Sequence, residues 1–188
     1  MAAVELFNDV LKSCVYPDKI FDGQAVKSNY IAGLYNANID YTNEKNGSAE
    51  FFWQHMVIAG LKVHEQFFQD FTFGQGYQLY NTFGSPVFSS PNITKHFKYD
   101  PIELTTRSFK ELFERDSFSE ARVEEMFIKA VMEQKESVLD WTSIPCHKVR
   151  QIDFPDDDFL IDFKKSYPVY DKSEYFGFVL ILNLKAAR

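Results

Sequence analysis

The 188-residue chain is poor in the residues that announce a specialised chemistry. It has two cysteines, Cys14 and Cys146, which make neither a disulfide framework nor a paired-cysteine metal site and so point to a reducing compartment. Its 20 Lys and Arg are outnumbered by 27 Asp and Glu, for a net charge of −7, and no basic run exceeds Lys164-Lys165. Affinity for a phosphate backbone comes largely from Lys and Arg, so bulk nucleic-acid binding is disfavoured. No segment approaches the roughly 20 apolar residues that span a bilayer, and no membrane association is expected. The start, Met1-Ala-Ala-Val-Glu-Leu-Phe, lacks a basic region and a continuous apolar stretch, so no export signal is expected and synthesis is read as cytoplasmic. The eight glycines form no phosphate loop. Gly74-Gln75-Gly76 is too short for a dinucleotide fingerprint, and neither a Gly-Lys-Ser/Thr loop nor a Gly-x-Ser-x-Gly elbow occurs.

What the chain has in quantity is apolar and aromatic side chains, 45% and 17% of residues, with twenty Phe. That suffices for a packed core and argues against disorder. The most distinctive segment is Tyr175–Lys185. Side chains alternate across a strand, so Phe176, Phe178, Leu180, Leu182 and Leu184 line one face, and Gly177, Val179 and Ile181 the other. A strand apolar on both faces must be covered on both. The larger face is assigned to the chain's own core under a long helix. The smaller face, Val179 and Ile181, is the candidate contact with another subunit or with a second internal layer.

Periodicity predicts a helix over Val4–Val15 and a half-buried strand over Tyr35–Thr42, where Tyr35, Ala37, Ile39 and Tyr41 alternate with polar residues. Asn43–Gly47 reads as a polar turn leading into a hairpin partner. Glu50–Phe73 fits two periods; Gly60 would cost a helix about 1 kcal/mol, so strands are favoured. A hairpin is expected around Gly74–Gly76 and a loop over Gly84–Lys98. Asp100-Pro101-Ile102-Glu103 carries an N-cap, a Pro at the first helical position and a capping-box Glu. Ser117 opens a longer helix to about Asp140. Short strands near Lys148–Phe154 and Phe159–Lys164 precede the final one. The expected fold is α+β, an antiparallel sheet packed against two or three helices. It forms a single domain over residues 1–188, with room for a protruding hairpin or loop within 35–98.

Candidate chemistries are weighed against plainer readings. His55 and His64 are nine residues apart, which sends them to opposite sides of a regular helix or strand, and His96 and His147 fall in separate loops. Ordinary surface or core histidines are favoured over a metal site. Cys146-His147 are adjacent, so their side chains diverge, and Cys146 is not at a helix N-terminus that would activate a thiol. Asp153 and Asp156–Asp158 lack the alternation and central Gly of a Ca²⁺ loop and read as a solvated turn. No catalytic, cofactor-binding or metal residues are assigned, and no cofactor is expected. The Phe and Tyr excess could line an apolar ligand pocket, though core and subunit contacts explain it more simply.

In outline, a short N-terminal helix, a central antiparallel sheet, a long charged helix and the closing Tyr175-Phe-Gly-Phe-Val-Leu-Ile-Leu-Asn183 resemble tail-terminator and head–tail completion proteins of tailed bacteriophages. The resemblance covers mainly residues 118–188 and carries no diagnostic motif. It implies a non-enzymatic structural subunit, located in the virion, that binds copies of itself and neighbouring structural proteins. Two other classes stay open: a cytosolic enzyme or small-ligand-binding α+β domain whose site is built from dispersed residues, and an acidic monomeric inhibitor or immunity-type module.

Overall fold

The computed structural model describes residues 23–187, apart from 41–42, 101–102, 105–106, 108 and 134–136. The helix expected over Val4–Val15 lies outside the described residues. Within them the fold is mixed α+β, with eight antiparallel strands in one sheet and six α-helices, more helices than the two or three expected.

The first half is more helical than its sequence implies. α1 spans Gly23–Asn38 and absorbs the first half of the predicted strand at Tyr35–Thr42, whose last two residues lie outside the described ones. Ile31, Tyr35 and Ile39 recur every fourth residue and are all buried, so the same residues satisfy a helical period as well as an alternating one. Tyr35 decides for the helix by stacking on Phe88 at 3.8 Å between ring centroids. Asn43–Gly47 does turn, as a 3₁₀ segment over Glu44–Gly47, but it leads into α2 (Ala49–Ile58), not into a strand. Ser48 caps that helix, its Oγ accepting from Phe51 N–H at 3.2 Å. Gly60, counted against a helix above, lies just past its end with φ +70°, the left-handed position at which glycine terminates helices without penalty. Only Leu61–Val63 (β1) is strand here, followed by the short α3 (Gln66–Asp70).

The hairpin falls later than expected. β2 (Gly76–Asn81) pairs with β3 (Pro86–Ser89), so the region read as a loop holds a strand and the one-turn α4 (Pro91–Thr94). Asp100 and Glu103 form the expected reciprocal capping box: Glu103 N–H donates to Asp100 Oδ1 at 2.8 Å and Asp100 N–H to Glu103 Oε2 at 3.1 Å. α5 (Phe109–Leu112) runs directly into β4 (Phe113–Glu114). α6 starts at Ser117 as read and is described over Ser117–Glu133, and Leu139–Asp140 is strand (β5) instead of helix.

β6 (His147–Gln151), β7 (Phe154–Asp171) and β8 (Glu174–Ala186) form the centre. The sheet runs β3-β2-β8-β7-β6-β4, with β5 and β1 also paired to β7. The 18-residue β7 thus has β8 along one edge and β6, β5 and β1 in succession along the other. Hydrophobic cores form on both faces. One gathers Tyr80, Phe163, Phe178, Leu180 and Leu182 with Val123 and Ala130 of α6. The other gathers Tyr77, Leu79, Tyr167, Val179 and Ile181 with residues of α1, α2 and α3.

Of the two covers left open for the smaller face of β8, another subunit or a second internal layer, this core is the second. Val179 is 0% and Ile181 1% exposed, so the face proposed as a subunit contact is an internal layer of the same chain. The alternation also breaks once. Phe176 belongs to the Val179 side, because the ladder shifts register between Val169 and Tyr170 and Gly177 takes φ +155° opposite that irregularity. A Cβ at Gly177 would lie 2.0 Å from the Tyr80 carbonyl oxygen, a contact that only glycine avoids.

Candidate functional site

Between α6, α5 and the adjacent sheet face lies a cavity of about 80 Å³. At about 10–15 Å³ of such space per water, it has room for several waters or a small organic molecule. α6 contributes Val123 and Phe127, four residues apart and therefore on one face, while Glu120 and Glu124 stand one turn apart on its flank. Phe159, Ile161 and Phe163 reach it from alternate positions of β7. Phe109 and Phe113 come from the α5–β4 junction, and Gln78 and Tyr80 from β2.

Polar groups enter this apolar space at two places. At the first, Tyr80 O–H donates to Gln78 Oε1 at 2.6 Å and Gln78 Nε2 donates to Ser89 Oγ at 2.7 Å. Burial pushes the Tyr80 phenol far above its ordinary range, so it stays a neutral donor and the amide is locked in one orientation.

At the second place stands Arg115, in the two-residue link between β4 and α6. Its side chain is 5% exposed and donates through Nη1 to Glu120 Oε2 at 3.3 Å, while its Nε is buried without a hydrogen-bond partner. Burial lowers its pKa, and Glu120 opposes that effect; an arginine remains protonated under such a shift. Glu120 does not serve Arg115 alone. Its Oε1 lies 3.9 Å from Lys110 Nζ, and Lys110 also pairs with Glu124. The remaining lining cation, Arg107, is held by Asp153 at 2.9 Å and Glu103 at 3.6 Å.

His147, at the start of β6, is buried on the same side of the sheet beside Phe163, with ring centroids 5.9 Å apart. Its Nδ1 lies 2.9 Å from the Pro145 carbonyl. A carbonyl only accepts, so Nδ1 carries the hydrogen and Nε2 presents its lone pair, buried without a partner. Burial lowers its pKa, which keeps the ring neutral.

The other sequence candidates scatter. Cys146 is exposed while its neighbour His147 turns inward, so the two do not work as a pair. His55 in α2 is buried, its Nδ1 2.9 Å from Phe51 O, and His64 lies beyond β1, its Nδ1 accepting from Gln66 N–H at 3.3 Å. Asp157 and Asp158 face Lys98 and Lys148 in ion pairs. Among the described residues no three His, Cys, Asp or Glu side chains cluster as metal ligands, and no helix is long and apolar enough to cross a membrane. Sequence reasoning missed Arg115 and Gln78. The one available signal was Arg115 itself, a lone cation close behind the apolar Leu112-Phe113 pair, and it has no value until α6 closes over it. In comparisons with known proteins, no family model matches the chain and no significant relative appears among curated proteins.

Proposed function

We propose that the protein is a small-ligand-binding α+β domain whose site is the cavity beneath α6. The observation that carries this reading is an aromatic-lined space that contains a buried guanidinium and a locked amide (Phe113, Phe159, Phe163, Arg115, Gln78). A folding core gains nothing from a desolvated charge at a void, because both the charge and the lost packing cost stability. Pockets that bind small molecules combine apolar walls with a few fixed polar groups in this way. Xenon titration followed by NMR tests it. Wild-type protein takes up xenon at Val123 and Phe127, and Val123→Trp, which fills the space, does not. Absence of uptake by the wild type would reduce the cavity to a packing irregularity.

A second reading, an oligomeric structural subunit that joins virion components, loses Val179 and Ile181 as its contact. What still favours it is the outer surface of α2, where Trp53 (51%), Val57 (54%) and Ile58 (63%) are exposed. Trp53 and Val57 are one turn apart and form a continuous apolar edge. Light scattering over a range of concentrations, with Trp53→Lys as the control, tests self-association through that edge. A wild-type monomer at every concentration that also ignores virion structural proteins would remove this reading.

A further inference from the structure

We infer that the cavity's ligand is a small apolar carboxylate, seated with its carboxylate on the under-paired guanidinium of Arg115, a residue of the cavity lining, and its apolar body against Val123, Phe127 and Phe163. The inference rests on the ligand-binding reading above and specifies its chemical class.

Three observations on Arg115 lead to it. Its side chain is nineteen-twentieths buried, yet its Nε has no partner, and a buried donor left unmade costs the whole desolvation of that group. Its present ion pair is a single contact of 3.3 Å, longer than the charge-assisted norm of about 2.7–2.9 Å and without the two-pronged geometry a guanidinium can make. Its counter-charge is divided, since Glu120 also faces Lys110. The buried cation therefore holds less negative charge than it can accept. An anionic acceptor answers this better than a neutral one, because a bond from a desolvated guanidinium gains strength when the acceptor is charged.

The rest of the lining fixes the remainder of the class. Val123, Phe127, Phe159 and Phe163 offer no polar partner, so the body of the ligand is hydrocarbon. The volume of about 80 Å³ limits it to a few carbons. Gln78 and Tyr80 satisfy one another and do not call for a polar group at the far end.

The test uses the full chain and two probes, butyrate and butanol, each carrying a terminal trifluoromethyl group and followed by fluorine NMR. For wild-type protein the acid binds at least tenfold more tightly than the alcohol. In the double variant Arg115→Met with Glu120→Gln, which removes the buried cation together with its half-buried counter-charge, the preference disappears while the alcohol still binds. Arg115→Lys, which keeps the charge but has no planar donor fork for a carboxylate, loses most of the acid's advantage and covers the case in which the double variant fails to fold. Equal binding of acid and alcohol to a wild-type protein that takes up xenon would overturn this inference and leave the ligand-binding reading intact. An acid preference that survives in the variants would also overturn it. No uptake of xenon, acid or alcohol would remove both.

Discussion

On the α1–α2 side of the sheet, Tyr35 lies flat on Phe88, Phe52 sits within 4.8 Å of both Phe67 and Tyr77, and the Tyr35 and Tyr77 hydroxyls meet at 3.0 Å. Rings fill the layer, and these two buried hydroxyls find each other. On the α6 side the strands carry a second apolar core but enclose a cavity, and two side-chain nitrogens, Arg115 Nε and His147 Nε2, go unpartnered. Interiors ordinarily satisfy nearly every buried polar group. The two cores are therefore alike in composition and unlike in completeness. Incompleteness, not hydrophobicity, locates the candidate site.

The comparison breaks first if β8 is not core on both faces. Leu180→Asp and Ile181→Asp each bury an unpaired carboxylate at positions 0% and 1% exposed, and both should lose several kcal/mol of stability and unfold. Circular dichroism with urea denaturation checks this. A folded, monomeric Ile181→Asp would return that face to the surface and restore the interface reading of Val179 and Ile181.

A somewhat smaller loss is expected at the point where the alternation changes sides. Gly177→Ala forces a Cβ to within 2.0 Å of the Tyr80 carbonyl, and the backbone must yield at a cost of roughly 1–3 kcal/mol. Stability within a few tenths of wild type would mean that β2 and β8 can separate there freely.

Filling should act oppositely on the two sides. Val123→Leu adds a methylene at the cavity and should stabilise by about 0.5–1 kcal/mol. Val179→Leu, in the filled core, should destabilise by about 1–3 kcal/mol. Two chemical melts measured side by side decide it, and destabilisation by both would show the cavity wall to be as rigid as the opposite core.

The smallest effect is in the pH dependence. His147 is held neutral by burial, its pKa lowered. The unfolded chain takes up that proton first, so stability falls as pH drops below about 6.5. His96, also lowered by burial, adds to this step. On the opposite side, Lys165 and Tyr167 hold the Asp70 carboxyl below the usual carboxylate range. Its contribution is complete above about pH 4 and is lost as pH falls through the lowered value. Denaturation midpoints against pH should therefore show an upper limb reduced by His147→Gln and a lower limb reduced by Asp70→Asn. A lower limb that Asp70→Asn leaves unchanged would show that the carboxylate's contacts contribute nothing to folding.

Local chemistry made some of this molecule legible in advance. The capping box at Asp100 and Glu103, the start of α6 at Ser117 and the last strands rest on neighbouring residues whose preferences agree, so reading them in order was enough. The first half misled because two periods fit the same residues. Tyr35 and Ile39 are both four apart and separated by whole alternations, and Gly60 reads as a defect only until it is placed just outside the helix it ends. The site was illegible for a different reason. Gln78, Phe163 and Val123 come from three separate elements and Arg115 from the link before α6, and nothing about their spacing records that α6 brings them together.

By itself, then, the sequence determined that the chain would build an antiparallel sheet with helices and that its last strand had to be covered on both faces. These follow from composition and period, which act between neighbours. Tertiary structure alone decided that α1 and α2 supply the second cover, that Gly177 moves Phe176 across the sheet, and that Arg115 is sealed beside a void. Each depends on which distant segments share a space, and burial, the source of the energies involved, is a property of that shared space and not of any one segment.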